Sequence, residues 1–322
     1  MSVSEGQRLG NYRLHRLLGK GSFAEVYLGE HLYLKNYAAL KILHTTLDEK
    51  EEQLFLTEAQ TIAGLVHPNI IRVREFAIEN SIPFLVMDYV PGGTLRHRYP
   101  RGTCLSLEQT VTYVKQIASA LQYAHNQGLI HRDVKPENAL QGAGQVMLSD
   151  FGISVSVPKL TGSSSGSWAG TLAYMAPEQF QGQAVFASDQ YSLAILAYEW
   201  LCGVRPFEGS GAVLAYQHAH VSPPGLREKD PSLPEAVEAV VLKALSKHPK
   251  QRYVSVLTFA RALERACRGE SSATIGLETE NADAPLQTTT RRIFLSQDTA
   301  DDSTNLCNDL SLRDIAVQDV SA

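Results

Sequence analysis

The chain has 322 residues, 44% hydrophobic and 20% charged, with a formal net charge of −5; this is ordinary globular composition, long enough for roughly two structural units. Residues 269–322 hold three basic and ten acidic side chains, leaving 26 basic and 24 acidic over 1–268, which argues against a nucleic-acid surface. No run approaches the roughly 18 consecutive apolar residues of a membrane span.

In chain order, residues 1–11 ("MSVSEGQRLG" and Asn11) read as an extension without the apolar core of a signal peptide. "YRLHRLLG" (12–19) alternates like a strand, and "AEVYLGEH" and "NYAALKIL" follow as further strands. "EKEEQLFLTEAQTIAGL" (49–65) has helical periodicity, and "FLVMDYV" (84–90) reads as a buried strand stopped by "PGG". The helix that starts near 106 ends at Gly128, and further helices are expected at 187–203, 209–220, 234–246 and 254–267. The apolar stretch 193–204 contains Glu199, so it reads as a buried core helix. Four scattered cysteines without a CxxC pair predict neither a metal site nor a disulfide, and so a reduced, cytoplasmic protein. His218 and His220 in "YQHAH" are expected to be surface or loop residues, since two positions apart they face apart on a helix. The tail 269–322, with 13 Ser/Thr and one aromatic residue, is expected to be disordered.

Three features carry chemistry. In "LGKGSFAEV", Gly19 and Gly21 lead into a second strand, unlike a dinucleotide fingerprint, whose glycines open a helix. Lys41 ends a buried strand, and Glu58 lies on the apolar stripe of the 49–65 helix, four residues from Leu54 and from Ile62. A carboxylate there is costly unless paired, so Lys41–Glu58 is the assigned ion pair. The third is "HRDVKPENALQGAGQVMLSDFG" (131–152), which gathers two aspartates, an amide and a lysine. Phosphoryl transfer needs these parts: Asp133 to accept a hydroxyl proton, Lys135 to steady a γ-phosphate, and Asn138 and Asp150 to hold Mg²⁺ through oxygen.

These motifs, with "APE" at 176–178, fall in one order over residues 12–268, and the chain thereby resembles the eukaryotic-type protein kinases, in particular the bacterial Ser/Thr enzymes. "KPEN" is closer to the Ser/Thr than to the tyrosine branch. The resemblance implies an α+β, bilobal fold with a β-rich N-lobe (about 12–90) and a mainly helical C-lobe (about 91–268). It implies ATP with Mg²⁺ or Mn²⁺ as cofactors. Gly19, Lys20, Gly21, Ser22, Phe23 and Ala24 would cover the phosphates. Adenine would lie between Leu18, Val26 and Ala39 above and Leu140 below, bonded to the backbone of Asp88 and Val90, with Met87 guarding the back of the pocket. Asp189 would support the catalytic loop and Glu178 would pair with Arg252. Ala24 stands where the family commonly has a third glycine, at a position that needs little approach to phosphate, and "AALK" departs from the commoner "VAIK" by volume only.

The implied partners are proteins offering Ser or Thr hydroxyls, and a second copy of the chain for trans-autophosphorylation. Ser154, Ser156, Thr161, Ser163, Ser164, Ser165 and Ser167 are acceptors in the loop after "DFG", with Arg132 as a phosphate ligand. A pseudokinase scaffold would lack Lys41, Asp133 or Asp150, and all three are present. A small-molecule phosphotransferase would lack "APE" and "GTLAY" (170–174).

Overall fold

Strands dominate the first ninety residues, their side chains alternating between two faces. The computed structural model describes residues 4–21, 24–44, 49–151 and 172–270. Strands β1 (Arg8–Leu9), β2 (Tyr12–Lys20), β3 (Ala24–His31), β4 (Tyr37–Leu43), β5 (Val73–Glu79) and β6 (Ile82–Asp88) form one antiparallel sheet in the order β1-β2-β3-β4-β6-β5. Its period of two separates two cores. Leu40 and Ile42 of β4 join Leu9, Tyr12, Leu14, Tyr27 and Phe84 on one face. Ala39 and Leu43 face the larger core, which continues into the helices. Lys41 shares the register parity of Ala39, so the strand directs it toward the junction between lobes. The sheet reaches back into the N-terminal extension: Leu9 is 2% exposed and pairs with Tyr12. Helix α1 (Glu49–Ala63) packs on β5.

The link to the helical lobe passes Gly92, where a Cβ would stand 2.1 Å from the Gln141 carbonyl oxygen. Only glycine allows that approach. A short α2 (Leu95–Arg98) follows, capped by the Thr94 hydroxyl, and then α3 (Leu107–Asn126), capped by Ser106. A small hairpin, β7 (Ala139–Gln141) and β8 (Val146–Leu148), carries the segment that the sequence motif marked. Helix α4 (Phe186–Cys202) is buried on every side from Ser188 to Leu201, which makes it the axis of this lobe. Helices α5 (Gly211–His220), α6 (Glu235–Ala244) and α7 (Val256–Cys267) complete it, with α7 packed on α3 and α6. The helical expectations hold to within two residues at each end.

His218 corrects the sequence reading. It is fully buried, its Nδ1 lies 3.0 Å from the Tyr191 hydroxyl, and burial pushes its pKa down to about 3. His220 on the opposite side of α5 is exposed, as the two-residue spacing requires. The enclosing rings, Phe207 and Phe180, come from distant segments.

The expected Glu178–Arg252 tie is present and bidentate: Nη1 donates to Oε1 at 2.7 Å and Nη2 to Oε2 at 2.9 Å. Arg252 also donates to the carbonyls of Ser246, Ala187 and Lys247, and Glu178 accepts from the Ser188 hydroxyl. Burial works to raise the Glu178 pKa, but the Arg252 bonds outweigh it and hold the carboxyl below its ordinary range. Breaking such a pair strands a buried charge, so Arg252→Ala should cost about 3–5 kcal/mol in urea unfolding at neutral pH. The folded pKa is the lower one, so the pair contributes fully above the ordinary value of 4.5 and fades as pH falls through the depressed value. Wild-type stability should therefore fall more steeply than that of Arg252→Ala between about pH 5 and about pH 3. Parallel acid profiles for the two proteins would refute the assignment.

Candidate active site

The segment from His131 to Asn138 is held from below by one side chain. Asp189, on the first turn of α4 and fully buried, accepts from the His131 amide (2.9 Å), the Arg132 amide (2.8 Å) and, across 2.7 Å, His125 Nε2. These bonds hold Arg132 at φ +69°, a left-handed conformation that a side chain rarely adopts. His131 is anchored again through Nε2 to the Ser149 carbonyl at 2.9 Å and packs on Phe151.

Asp133 follows directly. Lys135 Nζ lies 2.7 Å from its Oδ2, and Asn138 Nδ2 donates to both its carbonyl (2.8 Å) and Oδ2 (3.0 Å). Asn138 thus spends its amide hydrogens on Asp133 and keeps Oδ1 as an acceptor. Ser149, beyond β8, donates its amide to the Asn138 carbonyl at 2.8 Å, which places Asp150 beside this loop. Asp150, also left-handed at φ +61°, takes Lys41 Nζ on Oδ1 at 2.8 Å. Burial opposes its ionisation, but Lys41, His131 and Lys135 together hold its carboxyl below the ordinary range. The structure therefore joins Lys41, Asp133, Lys135, Asn138 and Asp150, from both lobes, at one place. The lysine's bond to Asp150 spans 109 residues, a partner the sequence reading did not name. Glu58 is partly buried on α1.

Leu18, Val26 and Leu140 lie partly buried against the core that contains Ala39, Met87 and Val90. Ala39 pairs with Met87, and Val26 with Lys41. The side chains expected around adenine thus all belong to or pack against one apolar core, and Val26 stands opposite the lysine in the sheet. The Asp88 amide is occupied by the Arg72 carbonyl at 3.0 Å, so that amide is not offered to a ligand. In the turn between β2 and β3, the Gly21 amide closes onto the Ala24 carbonyl at 2.8 Å, and Lys20 pairs with Glu25 at 2.7 Å. Ser22, Phe23, Gly152, the loop acceptors 154–167 and the tail beyond Glu270 lie outside the described residues.

Among the described residues no three His, Cys, Asp or Glu side chains gather as a metal cluster. One carboxylate and one amide oxygen, Asp150 and Asn138, are nonetheless the donor types that suit Mg²⁺ when phosphates supply further ligands.

The sequence reading also missed Arg96. From α2 it donates to Glu137 (Nε, 2.9 Å) and to Glu199 of α4 (Nη1, 2.8 Å), and it bonds the Tyr174 hydroxyl. Glu199 signalled it, since a buried charge on a core helix demands a partner.

Residues 12–264 match the family described as the protein kinase domain. The chain belongs to the protein kinase family. It is 36% identical to serine/threonine-protein kinase PrkC of Bacillus subtilis over 254 residues, 77% of this chain and 39% of that protein. It is also 36% identical to serine/threonine-protein kinase PknF of Mycobacterium tuberculosis over 277 residues, 82% of this chain and 58% of that one. The chain thus aligns with only about half the length of such relatives. The solved kinase domain of PknI from Mycobacterium tuberculosis, a point mutant, superposes with a TM-score of 0.66 at 30% identity, covering 83% of this chain and all of that one. The bilobal α+β expectation is met.

Asp189→Ala would leave the His131 and Arg132 amides without an acceptor. An unmade buried bond costs about 1–3 kcal/mol, so exchange at both amides should quicken at least about fivefold by hydrogen-exchange mass spectrometry. Unchanged protection would show that the loop holds its shape by other means.

Proposed function

We propose that this chain is a serine/threonine protein kinase that moves the γ-phosphoryl group of ATP to hydroxyls on proteins. The observation that carries the reading is the meeting of Lys41–Asp150 with Asp133–Lys135–Asn138 in one cluster. Asp133, positioned by Asn138, orients the incoming hydroxyl and takes its proton. Lys135 offers a cation to the transferring group, and Lys41 holds the phosphates behind it. Asp150 and Asn138 would hold Mg²⁺, or Mn²⁺ in its place, which would supply neutralisation of phosphate charge. Leu18, Val26, Ala39 and Leu140 enclose adenine, with Met87 at the rear and the backbone of Asp88 and Val90 reading its edge. Gly19 to Ala24 cover the phosphates. Glu58 is assigned as a second anchor for Lys41. A cytoplasmic location is proposed from the scattered, unpaired cysteines of the sequence. Separately, no helix among the described residues is long and apolar enough to cross a membrane.

Labelled ATP with Mg²⁺ should phosphorylate the protein or a generic Ser/Thr substrate. Asp133→Ala and Lys41→Ala should each lower turnover at least about 10²-fold, the low end of general-base effects. Tight ATP binding without any transfer would instead indicate a scaffold.

Autophosphorylation is proposed within 161–167, in cis or by a second copy of the chain. A phosphate there adds about −1.5 to −2 charges and pairs with Arg132. One charge-assisted pair of about 1.5–3 kcal/mol, partly coupled to catalysis, gives activation of about tenfold or less. Mass spectrometry after incubation with ATP, beside Arg132→Ala, checks this. An unmodified loop in a fully active enzyme would contradict it.

A further inference from the structure

The sequence scatters its cysteines, but the fold brings two of them together. Cys104 is exposed in the segment leading into α3, and Cys202 is the last residue of α4, partly buried. Two backbone bonds clamp these segments side by side: the Gly102 amide donates to the Gly203 carbonyl at 3.0 Å, and the Leu105 amide to the Trp200 carbonyl at 2.7 Å. Each cysteine therefore lies inside the clamp or at its edge. Gly203 ends α4 at φ +71°, and a Cβ on it would stand 3.0 Å from Cys104 Sγ. The sulfur of Cys104 thus rests over the residue next to Cys202, in the space that the missing Cβ leaves. The Cys202 thiol makes one weak bond, Sγ to the Leu226 carbonyl at 3.9 Å. Its pKa is pushed up to about 12, by burial first and by neighbouring Cys104 second. It stays a thiol at neutral pH, which leaves exposed Cys104 to react first.

We propose that Cys104 and Cys202 form an oxidative modification site, closed into an intramolecular disulfide by hydrogen peroxide. The Cys104 thiolate attacks one peroxide oxygen, the O–O bond breaks, hydroxide leaves, and Cys104 becomes a sulfenic acid. The Cys202 sulfur then attacks the Cys104 sulfur. The S–S bond forms, the S–O bond breaks, and the departing hydroxide takes up the Cys202 proton as water. Two thiols and one peroxide give one disulfide and two waters. The bond joins the α2–α3 connection to the end of α4, elements that Arg96 and Glu199 already tie nearby. Neither cysteine belongs to the Asp133 cluster, so the bond acts as a latch on the helical lobe and leaves catalysis alone.

The test uses the full chain with Cys267→Ser and Cys307→Ser, treated with one equivalent of hydrogen peroxide and then alkylated. The expected product has lost two hydrogens and accepts no alkylating agent. It yields a Cys104–Cys202 linked peptide that dithiothreitol separates, and it melts at higher temperature than the reduced form with unchanged ATP turnover. In a Cys202→Ala variant, Cys104 should stop at the sulfenic acid and be captured by dimedone. Oxidation of Cys104 to the sulfinic acid beside an alkylatable Cys202 would overturn the proposal, as would disulfide-linked dimers. A linked product with reduced turnover would overturn the latch role.

Discussion

A single buried carboxylate sets the geometry on which the rest depends. Asp189 has no solvent to stabilise its charge, and a charge so placed persists only where donors converge on it. Two consecutive backbone amides and the His125 ring supply them. Its place on the first turn of α4 adds the positive end of the helix dipole. Two successive amides can point at one carboxylate only if the backbone turns sharply, which is what φ +69° at Arg132 achieves. Asp133 is the next residue, so its direction follows from that of Asp189.

A second charge network repeats this logic one layer outward. Glu137 leaves the same loop and meets Arg96, which also binds Glu199, about three turns along α4 from Asp189. The Tyr174 hydroxyl joins both, and burial with Glu199 beside it raises its pKa so that the phenol remains neutral. The loop that carries Asp133, α2, α4 and the segment before "APE" are thereby tied through one guanidinium. An arginine suits this role because its fork serves several acceptors in one plane.

What could be read from the sequence was local. The end of α3 followed from Gly128, the first strands from alternation, and the Glu178–Arg252 tie from the resemblance that the motifs carry. Partners chosen by tertiary packing were not legible. Lys41 was assigned to Glu58 because a carboxylate on the apolar face of α1 needs a cation, but its bond to Asp150, which arises where two lobes meet, had no signal along the chain. His218 looked like a surface residue because nothing in "YQHAH" announces Phe180, Phe207 and Tyr191 around it. Strand β1 was hidden because two residues carry no period, and β5 because its pattern is only half-buried. Cys104 and Cys202 looked unrelated because 98 residues separate them, and only the clamp between the segment before α3 and the end of α4 makes them neighbours.

The cluster has a further consequence for the proposed reaction. Its two lysines are each held by one of its two aspartates, Lys41 by Asp150 and Lys135 by Asp133. Opposite charges this close hold long side chains in one rotamer and lower the repulsion that two free cations or two free anions would feel. A nucleotide bringing phosphates and a metal ion offers each group a new partner of the right sign: phosphate oxygen for lysine, cation or hydroxyl for aspartate. Binding on this reading is an exchange of partners within a preset arrangement. Little reorganisation is then left for the moment of transfer, which is the condition under which electrostatic stabilisation is largest.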